Sequence, residues 1–253
     1  MIKQIKVDIL KKEIELTYHS ERLHLPNEIQ NKINAYWEKR IMLNPQLRRG
    51  KVFCINNRIE NDDKIVYELV DTDYAHYLYT LNCPIEERYA CKVCFAVGLI
   101  ITSDNKYIIG QMNQNTATPQ RLQLPGGGLE EQDIVNGKIC LEQNLDRELT
   151  EEIGFGIFNK KMVASVQPKY VKYGGKGDFV AFVYNIKSCL SSIQLREHFK
   201  NFFDNYQGKA EFSNIYFIER EKNAVEEFLS KVQFPIVDYL YPVILADISE
   251  NEE

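Results

Sequence analysis

An α/β (α+β) fold, with a mixed sheet, helices on both faces and a small α+β N-terminal domain ahead of it, is predicted by three features of this sequence. Strand-like and helix-like patterns intermingle without a strict β-α-β repeat, which favours a mixed sheet over a doubly wound parallel one. Cys83-Pro84 interrupts the first run of elements, and a longer strand series follows. The expected domains are therefore 1–86 and 87–253. A chain of 253 residues, 44% apolar and 26% charged, supplies enough core for both.

The elements follow from periodicity. Alternation in IKQIKVDIL and EIELTYH predicts two short strands. Pro26 and Asn27 then open a helix on which Ile29, Ile33, Tyr36, Trp37 and Arg40 recur at helical spacing, closed by Asn44-Pro45. Trp37 on that stripe is read as core. KVFCINNRI and DKIVYELV read as strands, and Tyr74 to Leu81 as a short amphipathic segment. Strands are expected in ERYACKVCFAVGLIIT and NKYIIGQM across the turn Ser103-Asp104-Asn105, then in RLQL before a Gly-rich loop. A helix ending at Gly154 comes next, then strands over 162–171 and 179–186 with residues 172–176 as their hairpin tip, because Gly174-Gly175 suits a turn. A helix over 195–203, a strand SNIYFIER, a helix over 224–231 and an apolar tail complete the chain.

The net charge is -5 and no Lys/Arg block stands out, which argues against nucleic acid or an anionic membrane as partner. A small anionic ligand would need a metal or a few placed cations. No apolar run reaches the roughly 20 residues of a membrane span, and the N-terminus lacks a signal-peptide core, so the expected location is cytoplasmic. Six scattered cysteines in a chain this large are expected to be reduced. Cys91 and Cys94 have C-x-x-C spacing, but in a strand positions three apart face opposite sides, so buried small hydrophobes is the better reading.

The informative stretch is LPGGGLEEQDIVNGKICLEQNLDRELTEEIGF, residues 124–155. Glu148, Glu151 and Glu152 stand at i, i+3 and i+4, so a helix puts their carboxylates on one face beside Arg147. Gly154 supplies the left-handed residue that ends the helix. A solvated acidic face is the ordinary explanation of such a pattern. Here three mutually repelling carboxylates would crowd the last two turns, where the helix dipole disfavours each by about 0.3–1 kcal/mol. A divalent cation removes both penalties, and hard oxygen ligands suit Mg²⁺ or Mn²⁺. Upstream, Gly126, Gly127 and Gly128 let the main chain come close to a ligand or metal.

This stretch resembles the box of the Nudix superfamily, G-x5-E-x7-R-E-U-x-E-E-x-G-U with U a bulky apolar residue. Residues 147–155 match its second half without a mismatch. In the first half, Asp133 stands where the family has Glu, and thirteen residues rather than seven separate it from Arg147. That makes about six extra residues, with Asn136-Gly137 marking an extra turn. The resemblance implies a Nudix-type α/β/α sandwich. It also implies Glu148 and Glu152 as principal metal ligands, Glu151 as a further ligand or base, and the Gly126 carbonyl as another ligand. Asp133, Glu131 and Glu130 are candidates to orient Arg147.

The implied activity is Mg²⁺-dependent hydrolysis of a diphosphate linkage in a nucleotide-type substrate. Glu211 or Glu219 from a later loop are alternative bases. Arg121 and Lys172, with Lys176, are candidate cations for substrate phosphates, and Tyr239 to Tyr241 could stack on a base or serve in packing. LPNEIQNKINAYWEKRIMLNP followed by TDYAHYLYTLN is similar to the extension preceding the Nudix domain in UDP-glucose diphosphatases, which implies a nucleoside diphosphate sugar. ADP-ribose or a dinucleoside polyphosphate are the alternative substrates, and a Nudix-fold nucleotide sensor without turnover is the alternative class. A monomer or homodimer acting on a small molecule is expected.

Overall fold

Alternation in the first 22 residues produces two strands that go to different sheets. The computed structural model describes residues 3–206 and 210–252. It begins with β1 (Lys3–Ile9), β2 (Glu13–Arg22), α1 (Asn27–Leu43), β3 (Lys51–Glu60), β4 (Lys64–Asp73) and α2 (Tyr74–Asn82). There follow β5 (Cys94–Ile101), β6 (Lys106–Met112), β7 (Leu122–Gln123), β8 (Gly126–Gly128), β9 (Ile134–Val135), β10 (Lys138–Ile139) and α3 (Leu141–Ile153). The remainder is β11 (Val163–Gly175), β12 (Val180–Ser188), α4 (Ser192–Asn205), β13 (Phe212–Glu219), α5 (Lys222–Lys231) and α6 (Leu240–Glu252).

The larger sheet runs β1-β11-β12-β5-β6-β13, with β8 added to β5 and β7 to β6. Its β12–β5 pair is parallel and its other pairs are antiparallel, so the sheet is mixed, as expected. One face packs on α3 and α4 through Leu141, Leu145, Leu149, Ile153, Leu195 and Phe199. The other packs on α5 and α6 through Val225, Leu240, Val243, Ile244 and Ile248. Each such aliphatic side chain, removed from water, contributes about 1.5–3 kcal/mol of transfer free energy.

The smaller sheet runs β3-β4-β2-β10-β9. Two of its five strands, β9 and β10, come from the extra residues inside the box, and β10 pairs antiparallel with β2 (Lys138↔Thr17, Ile139↔Leu16). Conversely, β1 leaves the N-terminal segment to pair with β11 (Val7↔Lys172, Asp8↔Val171). Strands thus cross the expected boundary near residue 86 in both directions. The apolar core is shared as well: Leu16, Phe53, Ile65, Tyr67 and Leu69 of the smaller sheet lie in one cluster with Leu141, Leu145 and Leu149 of α3.

The ends of α1 and α3 match the sequence signals, whereas α4 and α5 begin at Ser192 and Lys222, earlier than the expected 195 and 224. Asn44 closes α1, and Trp37 is buried with Ile33 against Ala75 and Tyr79. Three expectations are corrected. The strand expected from residue 87 starts at Cys94, after a 3-10 turn over Glu87–Tyr89. The hairpin tip is Lys176–Asp178, not 172–176; Gly174 and Gly175 have φ of 78° and 76° yet stay in β11, where Gly175 pairs with Lys3. The apolar tail contains α6. All six cysteines are free, and Cys54, Cys91 and Cys94 are buried. No helix among the described residues is long and apolar enough to cross a membrane.

Candidate active site

Three local features aim the acidic helix at the glycine strand. β8 lies antiparallel to β5, with Val97↔Gly126, Ala96↔Gly127 and Phe95↔Gly128 in register. Gly126 has φ 128°, and a Cβ there would stand 2.4 Å from the Ala96 carbonyl oxygen. At Gly127 a Cβ would stand 2.4 Å from Glu148 Oε2, so a side chain there would displace the carboxylate from this backbone. The helix ends at Gly154 with φ 81°, the left-handed stop expected.

On α3, Glu148 and Glu152 are buried beneath this strand. The Gly126 N–H donates to Glu152 Oε2 at 2.6 Å. Carboxylate oxygens of Glu148, Glu152 and Glu211 all lie within 4.8 Å of one another. Glu211 arrives from the segment before β13, 59 residues beyond Glu152 in sequence number, and its residue is exposed at the rim. Glu151 lies outside this group, with a side chain 43% exposed and its carboxylate 3.6 Å from Arg147.

The electrostatics are those of carboxylates short of positive charge. Burial pushes the Glu148 carboxyl up to about 7, against the pull of Arg147. Glu152 is raised well above its ordinary value by burial and then by Glu148. Glu211 is raised by desolvation and by Glu151. Three acids that resist ionisation at one point are the complement of a hard divalent cation, which favours their charged forms.

Arg147 is spread over several acceptors. It donates to Asp133 Oδ2 at 3.1 Å and Oδ1 at 3.4 Å, and to the Gly128 carbonyl at 3.1 Å. Its Nη1 is 2.8 Å from Glu148 Oε1. Asp133, 1% exposed, also accepts from Asn144 Nδ2 and the Glu130 N–H. Among the three candidates Asp133 is thus the one that accepts hydrogen bonds from Arg147. Glu130 stands 3.9 Å from it, and Glu131 pairs with Lys51 instead.

The remaining candidates diverge. Arg121 donates to Gln123 Oε1 at 2.6 Å, leaves its Nε buried without a partner, and is close enough to act electrostatically on Tyr239, as is Glu152. Lys172 is not at a hairpin tip: it is buried within β11, donating to the Gly174 and Phe179 carbonyls at 2.7 and 3.3 Å and lying 5.9 Å from the Tyr239 ring centre. Burial lowers its ammonium below the usual lysine value. Lys176 is exposed on the turn. Glu219 pairs with Lys106 at the opposite end of β13 from Glu211, and Tyr239 is packed against Phe95.

No protein-family model and no curated protein matches the chain. Among solved structures it is similar to the pyrophosphohydrolase BsRppH of Bacillus subtilis, at 14% identity and TM-score 0.40 over 66% of this chain and 87% of that one. It is similar to the Nudix domain of Shewanella oneidensis NrtR, solved with ADP-ribose, at 14% identity and TM-score 0.38 over 69% and 96%. The MutT protein of Methanosarcina mazei is matched at 14% identity and TM-score 0.36 over 64% and 96%.

Proposed function

We propose that this chain is a Nudix hydrolase that cleaves the diphosphate linkage of a nucleoside diphosphate derivative, a nucleoside diphosphate sugar such as UDP-glucose, with Mg²⁺ or Mn²⁺. The observation that carries the reading is the convergence of Glu211 with Glu148 and Glu152, the latter two on a helix whose sequence matches the second half of the box. The donor set fits a divalent cation, since it offers three hard oxygen ligands at one point with only Arg147 as a neighbouring positive charge among the groups that act on Glu148. Glu148, Glu152 and Glu211 would hold the ion, with the Gly126 carbonyl as a further ligand. Bound there, it supplies charge neutralisation at the phosphate oxygens and a more acidic water.

The chain's own groups supply the rest. Gly126 N–H fixes Glu152, and Arg147, anchored on Asp133, fixes Glu148. Glu151, outside the cluster and partly exposed, is the carboxylate left to take a proton from the attacking water. Arg121, whose Nη2 donates to Gln123 Oε1, is proposed as a cation for the substrate phosphates. Lys172, buried beside Tyr239 and donating to the Gly174 and Phe179 carbonyls, is proposed as a second cation for the phosphates. The sugar nucleotide rests on the N-terminal resemblance.

Turnover on a panel of nucleoside diphosphate sugars, ADP-ribose and dinucleoside polyphosphates tests this. Metal-dependent release of a nucleoside monophosphate from UDP-sugars, lowered on the order of 10³-fold or more in Glu152→Gln, is the expected result. Tight nucleotide binding without turnover on any member of the panel would leave a sensor in its place.

A further inference from the structure

We infer that the hairpin inserted in the box makes the N-terminal sheet a positioning element of the metal-binding carboxylates, acting through Asp133 and Arg147. This rests on the reading that Glu148, Glu152 and Glu211 hold a divalent ion.

The hairpin β9–β10 turns at Asn136-Gly137, with φ of 52° and 76°, the two positive values of a type I′ turn. Its two ends meet, because the Cys140 N–H donates to the Asp133 carbonyl at 2.9 Å. Outward, it is tied to the N-terminal segment. β10 pairs with Leu16 and Thr17, the Tyr18 N–H donates to the Gly137 carbonyl at 2.9 Å, and Lys138 pairs with Glu15 at 2.9 Å. Lys51 of β3 bridges Asp71 of β4 and Glu131, just ahead of the hairpin, at 3.0 and 2.7 Å.

Inward, the same short segment presents Asp133. Its carboxylate grips Asn144 and Arg147, one turn apart on α3, and Arg147 in turn reaches Glu148. A continuous path of backbone pairing and charged hydrogen bonds therefore runs from β4 through β2, β10, Asp133 and Arg147 to a carboxylate of the site. Isolated from β2, a two-strand hairpin of two residues per strand has little stability of its own. The sheet holds the hairpin that follows Asp133.

Excision of residues 134–139 joins Asp133 to Cys140, whose backbones already touch, and restores seven residues between Asp133 and Arg147. We expect this variant and Asp133→Asn each to weaken Mn²⁺ binding, read by titration calorimetry, on the order of 10- to 100-fold. Because both act on one chain of contacts, the combined variant should be no weaker than the worse single variant by more than about twofold. A folded excision variant that binds Mn²⁺ like the wild type, or losses that multiply in the combined variant, would overturn the inference. If the excision does not fold, Gly137→Val decides. Its side chain enters open space and strains only the turn, so weaker Mn²⁺ binding at an unchanged circular dichroism spectrum supports the coupling and unchanged binding overturns it. Absence of Mn²⁺ binding by the wild-type chain overturns the metal reading itself and this inference with it.

Discussion

Glu148 shows how one residue ties stability to the ligand. Its folded-state value of about 7 lies above the ordinary 4.5, so the folded protein keeps a proton that the unfolded chain releases between those values. The contribution of this group to stability without metal then falls as pH rises across that window, and Glu152 and Glu211, also raised, act with the same sign. A bound divalent ion needs the ionised forms and reverses the trend. Melting temperatures in EDTA should decline from about pH 4.5 to about pH 7 and recover with Mn²⁺. A flat metal-free profile, or a decline equally steep in Glu148→Gln, would contradict this origin. The sequence made Glu148 and Glu152 legible because helical spacing alone puts them on one face. Glu211 could be named only as one of two later acids, since nothing local to it encodes proximity to α3; β13 brings it there by pairing with β6. Lys172 was misplaced because Gly174-Gly175 mimic a hairpin tip, whereas their positive φ values bend a strand that continues to Gly175.

Among the elements, α6 was the least legible. Much of it is buried across the second face of the larger sheet, so it lacks the clear amphipathic stripe that marks a surface helix. A buried carboxylate ties it to the sheet. Asp247, fully buried, accepts from Tyr107 Oη at 2.7 Å and from Arg220 Nε at 2.8 Å, with Arg220 Nη2 at 2.7 Å and Lys169 Nζ at 3.3 Å. Removing it strands the Arg220 cation and a buried phenol. Asp247→Ala is expected to destabilise the protein by about 3–5 kcal/mol, read as a lower urea midpoint, while Mn²⁺ affinity at the carboxylate site on the other face stays unchanged. A loss below about 1 kcal/mol would mean that α6 is held by its apolar contacts alone. By contrast the C-terminal half of α3 was legible, because its carboxylates and Gly154 agree on one helix and one end.

Strand pairing links the segments on either side of residue 86. Composition and Cys83-Pro84 mark a change of element series, but which strand pairs with which is a long-range matter that periodicity does not carry. In the structure β1 caps the edge of the larger sheet and the box hairpin extends the smaller one, and both sheets bury α3 in one cluster. A segment 87–253 alone would lose β1 from the edge of β11, exposing a row of unpaired backbone groups, and would uncover the side of Leu141 and Leu145 that meets the smaller sheet. The full chain should therefore unfold in a single calorimetric transition whose van't Hoff and calorimetric enthalpies agree, and residues 87–253 expressed alone should aggregate or melt well below it. A soluble fragment with its own cooperative transition at the melting temperature of the full chain would show that the interlock adds nothing to stability. The N-terminal sheet would then bear on the site only through whatever order it imposes on Asp133.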